Sequence, residues 1–345
     1  MLCFLPPAGN PPRMKILFIG GTGNISSACA QLLYEQGHEI QVVTRGLAAV
    51  PSHFQAVVAD RKDPASMRAA VEVTRPEVVI NFLGFDRLEV ALDFELFRGV
   101  TRQYIFISSA TVYAKPPLRL PIREDDPMGN AWWEYARKKQ ACEEWLLEQY
   151  RTDGFPVTIV RPSHTYSERW IPNPLSSSSY TFARRLEQSQ EVFVPDQGEN
   201  PWTLTASSDF AIGLAGLAGN LTAVGEAFHI TSDEVLTWNQ IVTEISGALG
   251  VDSPKVVPIP TEFICQVAPQ MTGSLKGDKA HPGVFDNSKI KRFVPSFRCR
   301  KSFSVGVRES VHWLRENPDR QNLNPQMDTL CEEVIRAWAL RGPAS

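Results

Sequence analysis

The stretch KILFIGGTGNIS, residues 15–26, is where the fold of this chain is decided. Its first half, KILFIG (15–20), is an apolar run too short for a helix, and it reads as a strand buried on both faces. Its second half, GGTGNIS (20–26), is a glycine turn that opens into a helical pattern, ISSACAQLLYEQG (25–37), closed by Gly37. Gly20 suits a tight turn and Gly23 lets the backbone approach a pyrophosphate. The helix start that follows, from Asn24 and Ile25, offers N–H groups and the positive end of its dipole. The third glycine of that spacing is replaced by Ser26, a residue small enough to keep helix and strand close. Set between an apolar strand and a helix at the head of a βαβ pattern, such a turn is expected to hold a dinucleotide.

The same alternation continues outward. EIQVVTRG (39–46), FQAVVAD (54–60), EVVINFLG (77–84), QYIFISSA (103–110) and PVTIVRP (156–162) read as further strands, with helices over 64–74 and about 131–150. The spacing predicts an α/β fold, a doubly wound parallel sheet of Rossmann type with a smaller C-terminal substrate lobe. Residues 14–165 form the NAD(P)-binding domain in this reading, and 166–345 mostly the substrate lobe, with segments such as 203–235 returning to the main domain. After Pro162 the segment 163–202 becomes rich in Ser, Pro and aromatics, as binding loops are. EAFHITS (226–232) and KVVPIP (255–260) read as strands, and 237–250, 302–316 and 325–340 as helices.

With 43% hydrophobic residues in 345, the chain can bury a substantial core. Lys plus Arg 35 against Asp plus Glu 38 gives a net charge of −3 with no long run of either sign. This points away from nucleic acid and membrane surfaces and toward small-molecule partners. Six cysteines lie without a CxxC pair or metal-like spacing, so no metal is expected, and reduced thiols fit a cytoplasmic location. The opening MLCFLPPAGNPPR (1–13) lacks the basic and continuous apolar parts of a signal peptide and reads as a disordered lead-in, with Met14 a candidate natural start. No stretch approaches the roughly 18 to 20 apolar residues of a membrane span.

Three positions carry the chemistry. FISSATVY (106–113) puts Ser109 at the carboxyl edge of the sheet, where open α/β folds bind ligands. Tyr135 and Lys139, in WEYARKKQ (133–140), share one face of a helix. A phenol with an ordinary pKa of about 10 is a poor proton carrier at neutrality, but an ammonium beside it and an oxidised nicotinamide ring would favour tyrosinate. Ser109 would then hold the substrate oxygen. Where an acidic residue at the end of the second strand would bind the ribose hydroxyls of NAD, this chain has Arg45, which suits the 2′-phosphate of NADP. Asp60, closing VVAD, is placed for the adenine amino group or for a turn.

Together GGTGNIS, VVAD, INFLG, FISSATVY, YARKK, VRP, SSDFA, EAFHITSDEVLTWNQI and FDNSKIKRFVP resemble the extended short-chain dehydrogenase/reductases, in the branch of NAD-dependent epimerases and dehydratases. The resemblance runs from Lys15 to about Trp313. It implies Ser109, Tyr135 and Lys139 as the catalytic set, Lys139 also binding the nicotinamide ribose. It implies Gly20, Gly23, Asn24, Ile25, Arg45, Asp60, Arg61, Phe82, Leu83, Gly84 and Pro162 around an NAD or NADP cofactor. Thr111, His164, Trp202 and Lys276 would meet substrate. Epimerases of this kind commonly hold nucleotide phosphates with an arginine near PWTLTASSDFA (201–211), where this chain has Trp202, and Lys276 or Lys279 would replace that charge. The implied activity is redox-neutral epimerisation of a nucleotide sugar, by a homodimer. Alternatives are an NADPH-dependent ketone or aldehyde reductase, favoured by Arg45, and a non-catalytic NAD(P)-binding sensor or RNA-associated scaffold.

Overall fold

Strands β1 (Lys15–Ile19), β2 (Glu39–Thr44), β3 (Gln55–Val58), β4 (Val78–Asn81), β5 (Gln103–Ile107), β6 (Val157–Pro162) and, far along the chain, β11 (Ala227–Ile230) form one sheet. The computed structural model describes residues 13–46, 49–175 and 179–341. All but Arg13 of the expected lead-in, and Ser176 to Ser178 of the serine run, lie outside the described residues.

All pairs in this sheet are parallel, in the order β3-β2-β1-β4-β5-β6-β11. The order reverses between β1 and β4, and this reversal opens a crevice at the carboxyl ends of those two strands. Strand alternation separates two cores. Ile16 and Phe18 face α1 (Ser26–Glu35) and α6 (Ser207–Leu217) through Leu33 and Leu214. Leu17 and Ile19 face α2 (Pro64–Thr74), α3 (Arg87–Phe97) and α4 (Glu134–Asp153) through Met67, Phe94 and Leu146. Each such side chain, fully buried, contributes about 1.5–3 kcal/mol, so both faces of every central strand must be apolar.

The second lobe is built on three two-stranded pairs. They join β7 (His164–Tyr166) with β10 (Leu204–Ala206), β8 (Val192–Pro195) with β13 (Val256–Ile259), and β9 (Pro201–Trp202) with β12 (Leu236–Thr237). Around them pack α5 (Thr181–Glu187), α7 (Trp238–Leu249), α8 (Thr261–Val267), the single turn α9 (Thr272–Ser274), α11 (Phe303–Glu316) and α12 (Pro325–Ala339), whereas α10 (Ser288–Phe293) packs back on α6 and β11 through Ile290 and Phe293. Trp238, Phe193, Phe303 and Leu314 anchor that core. Helix α7 starts at a capping box, in which the Thr237 side chain accepts from Gln240 N and the Gln240 side chain accepts from Thr237 N. No helix among the described residues is long and apolar enough to cross a membrane.

One local expectation changes. Residues 85–102 carried no predicted helix, yet α3 forms there, started by Asp86, whose carboxylate accepts from Glu89 N at 3.1 Å. Asp209, the carboxylate of the SSDFA motif, does not cap α6: it lies inside the first turn of that helix, and its Oδ2 accepts from the backbone N–H groups of Arg300 and Lys301.

Candidate functional site

The glycine turn lies at the crevice. Gly20 adopts φ +87°, and a Cβ there would meet Leu83 Cγ at 2.6 Å, so only glycine lets the chain turn beneath Leu83 at the end of β4. Ser26 is buried and its Oγ accepts from Gly23 N at 2.8 Å, fixing the turn from within. Asn24 reaches across to the second lobe, donating to Thr165 O at 3.0 Å and accepting from Ser167 Oγ. Its side chain thus ties the turn to β7, leaving its backbone for any phosphate. Arg45 is exposed where β2 ends. Asp60 is also exposed, with one carboxylate oxygen accepting from Lys62 N.

Arg61, expected beside the cofactor, already has partners within the protein. Its guanidinium turns inward, donating to Asn81 Oδ1 and Asp93 Oδ2, both at 3.1 Å. Asp93 is buried in α3 and also accepts from Asn81 and Tyr104, so the arginine is the charge that makes this carboxylate tolerable inside.

Ser109 follows β5 and its Oγ accepts from Thr111 N and from Thr111 Oγ1. Tyr135 and Ser109 line the same cavity, with Ser109 near enough to act on the phenol. Lys139 is 2% exposed, donating to Gly84 O at 2.7 Å and Ile107 O at 2.8 Å, with Nζ 4.9 Å from the centroids of Phe85 and Phe106. Burial pulls its ammonium down to about 8. The expected lowering of the Tyr135 pKa is reversed in the protein alone. Burial raises it, Ser109 opposes that only in part, and the charge of Asp278 raises it further, while Lys139 Nζ lies 6.0 Å from the phenol ring centroid. Tyr135 is therefore a neutral phenol.

These groups open on a cavity of about 350 Å³ that Ile25, Phe82 and Pro162 line on the cofactor side. Thr111, His164, Trp170 and Trp202 line it on the other side, as do Trp133, Phe85 and Phe285, three aromatics that the sequence did not single out. His164 is packed edge-on to Trp202 and Trp238, and burial, with the nearby Lys279 charge, drops its imidazolium to about 3. It is a neutral ring at physiological pH. Trp202 is buried between His164 and Trp238.

Lys276 is absent from this cavity. It donates to Glu262 Oε2 at 2.6 Å and lies over the Trp132 ring, whereas Lys279 and Asp278 face the substrate side. The reason is local. Leu275–Lys279 forms a π-helical turn, and its wider winding separates side chains that an α-helix would keep on one face.

Behind the cavity, Arg161 on β6 donates through Nε and Nη2 to Glu143 on α4, at 2.6 to 3.1 Å. Its Nη1 donates to Tyr113 Oη at 2.6 Å, and that hydroxyl is 2.6 Å from His229 Nε2 on β11. Strand alternation explains why Pro162 meets the cavity and Arg161 does not. Glu143 is one turn beyond Lys139, so the ion pair fixes the catalytic helix against the sheet.

Residues 16–230 match the model of the NAD dependent epimerase/dehydratase family. The 2'-dehydrokanamycin reductase of Streptomyces kanamyceticus is 26% identical over 310 residues, covering 87% of this chain and 84% of that protein. A 3-diazoavenalumate denitrifying reductase of a Streptomyces species is 35% identical over 285 residues, 75% of this chain and 88% of that protein. Among solved structures, the epimerase Mth375 of Methanothermobacter thermautotrophicus superposes with a TM-score of 0.74 at 16% identity, over 89% of this chain and 94% of that one. The chain belongs to the NAD-dependent epimerase/dehydratase family of extended short-chain dehydrogenase/reductase enzymes.

Proposed function

We propose that the protein is an NAD(P)H-dependent reductase of small ketones, using Tyr135 as proton donor. The observation that carries this reading is the convergence of Ser109, neutral Tyr135 and buried Lys139 on one cavity at the carboxyl edge of the sheet. The fit to a dinucleotide rests on the Cβ-free Gly20 turn, the start of α1 beyond it, and Ile25, Phe82 and Pro162 around the inner cavity. When bound, the cofactor supplies hydride to the carbonyl carbon. Ser109 and Tyr135 hold the carbonyl oxygen by their hydroxyls, and Tyr135 gives up its proton as negative charge develops on that oxygen. Lys139 stabilises the tyrosinate that remains, and its two carbonyl partners keep the ammonium in place.

Nucleotide-sugar epimerisation, the activity the resemblance implies, needs partners for two phosphates. Here Trp202 and Trp133 line the cavity, Lys276 is turned to Glu262, and beyond Lys139 the lining offers Lys279 as a single point charge. Reduction needs no such grip, and both relatives described above are named reductases. Incubating the purified protein with NADPH or NADH and a panel of small ketones tests the reading. Stoichiometric loss of reduced-nicotinamide absorbance is expected, falling about 100-fold or more in Tyr135→Phe with cofactor binding retained. Interconversion of nucleotide sugars with no net change in absorbance would replace reductase by epimerase.

A further inference from the structure

The π-helical turn Leu275–Lys279 brings two opposite charges to the substrate end of the cavity, and neither is neutralised by contact. Among the described residues, the Asp278 carboxylate and the Lys279 ammonium take no hydrogen bond and no ion pair within 4 Å, although Lys279 is only 7% exposed. Lys115 adds a second positive charge behind Asp278. Burial on this scale without partners is costly unless a ligand supplies them.

The turn is also fixed to the catalytic helix. A Cβ on Gly273 would lie 2.7 Å from Trp133 Cδ1, and one on Gly277 2.8 Å from Trp133 Cβ, so both glycines let the turn pack directly on the residue preceding α4. Asn130 Nδ2 donates to Gly277 O at 2.6 Å and to Thr111 O at 2.7 Å, joining this turn to the loop that carries Ser109. Asp278 is thereby held near enough to Tyr135 for its charge to act on the phenol.

We propose that Asp278 and Lys279 are a second substrate anchor, Asp278 accepting from a hydroxyl beside the reacting carbon and Lys279 donating to a further substrate oxygen. The substrate is then a small hydroxyketone or polyol without a nucleotide. A hydroxylated substrate suits these groups because its O–H can donate to Asp278 while its oxygens accept from Lys279, and two lysines around one carboxylate repel an ammonium. The size follows from the cavity, which must admit the nicotinamide end as well.

This inference rests on the ketone-reductase reading, and the test separates the two. Binding of cyclohexane-1,2-diols and of cyclohexanol to the protein–NADP complex is measured by calorimetry, for the native chain and for Asp278→Leu and Lys279→Met. The native protein is expected to hold one diol isomer about tenfold or more tightly than cyclohexanol, with that preference lost in Asp278→Leu and reduced in Lys279→Met. Equal binding of diol and cyclohexanol by the native protein, or a preference that survives in Asp278→Leu, overturns the anchor. Thermal melting of each variant identifies any that fails to fold, and Asp278→Asn then takes its place. Turnover of 2-hydroxycyclohexanone and cyclohexanone with NADPH is followed in parallel. Diol preference without turnover of either ketone sinks the reductase reading and leaves the anchor standing.

Discussion

Arg45 is the side chain proposed to set the choice between NAD and NADP. It is exposed at the end of β2 and takes part in no ion pair among the described residues, so its fork is available to a 2′-phosphate. Arg45→Ala is expected to raise the Kd for NADPH about tenfold or more and to leave that for NADH nearly unchanged, as fluorescence titration would show. Equal losses for both cofactors reject the assignment. At this scale the sequence was most legible where a period fixes direction. Tyr135 and Lys139 share a helix face and Ser109 ends a strand, as spacing indicates, while their grouping as one set is what the family resemblance implied. The position of Lys276 and the partners of Arg61 were not legible, because the backbone of the first is irregular and the partners of the second are remote. Asp93 comes 32 residues after Arg61, and no local pattern announces that it will be buried.

Helix α4 carries Tyr135 and Lys139, and its seat is the buried Arg161–Glu143 pair. Glu143→Gln keeps the shape but leaves a buried guanidinium short of its counter-charge, and is expected to cost about 3–5 kcal/mol in denaturant unfolding. Adding Arg161→Met should recover part of that loss, since the uncompensated charge goes with it. A loss in the double variant equal to the sum of the single losses would argue against a coupled pair. Helix α3 was invisible in the sequence for a related reason. Asp93 occupies an inward position that an amphipathic pattern reserves for an apolar residue, and only the Arg61, Asn81 and Tyr104 contacts explain it. The π turn was equally hidden, because helical spacing assumes one fixed winding.

The whole molecule stores a sensitivity to acid in two histidines, the buried His229 and the partly buried His164. His164 and His229 are both brought down to about 3, mainly by burial, His164 further by Lys279 and His229 by Arg161. The unfolded chain binds their protons from about pH 6.5 downward and the folded chain does not. Their contribution to stability is thus complete above about pH 6.5 and is lost as pH falls toward 3. The slope is about 1.4 kcal/mol per pH unit for each ring. Asp93, Glu124 and Asp278 act in the opposite sense, because burial raises their carboxyl pKa values. Denaturant unfolding of His164→Gln between pH 6.5 and 4.5 should show a slope shallower by about that amount than the native chain, and an identical slope would mean that His164 is protonated when folded. The two-lobed plan was legible because apolar strands buried on both faces leave a simple trace. Which faces of the second lobe meet the cavity was not, since that depends on contacts between segments far apart. The π turn between Thr272 and Ala280 has a mutational corollary. Losing one codon there would rewind it toward an ordinary helix and change which of Lys276, Asp278 and Lys279 meets the ligand. A one-residue deletion in this turn is therefore expected to change the cavity lining while Ser109, Tyr135 and Lys139 keep their places.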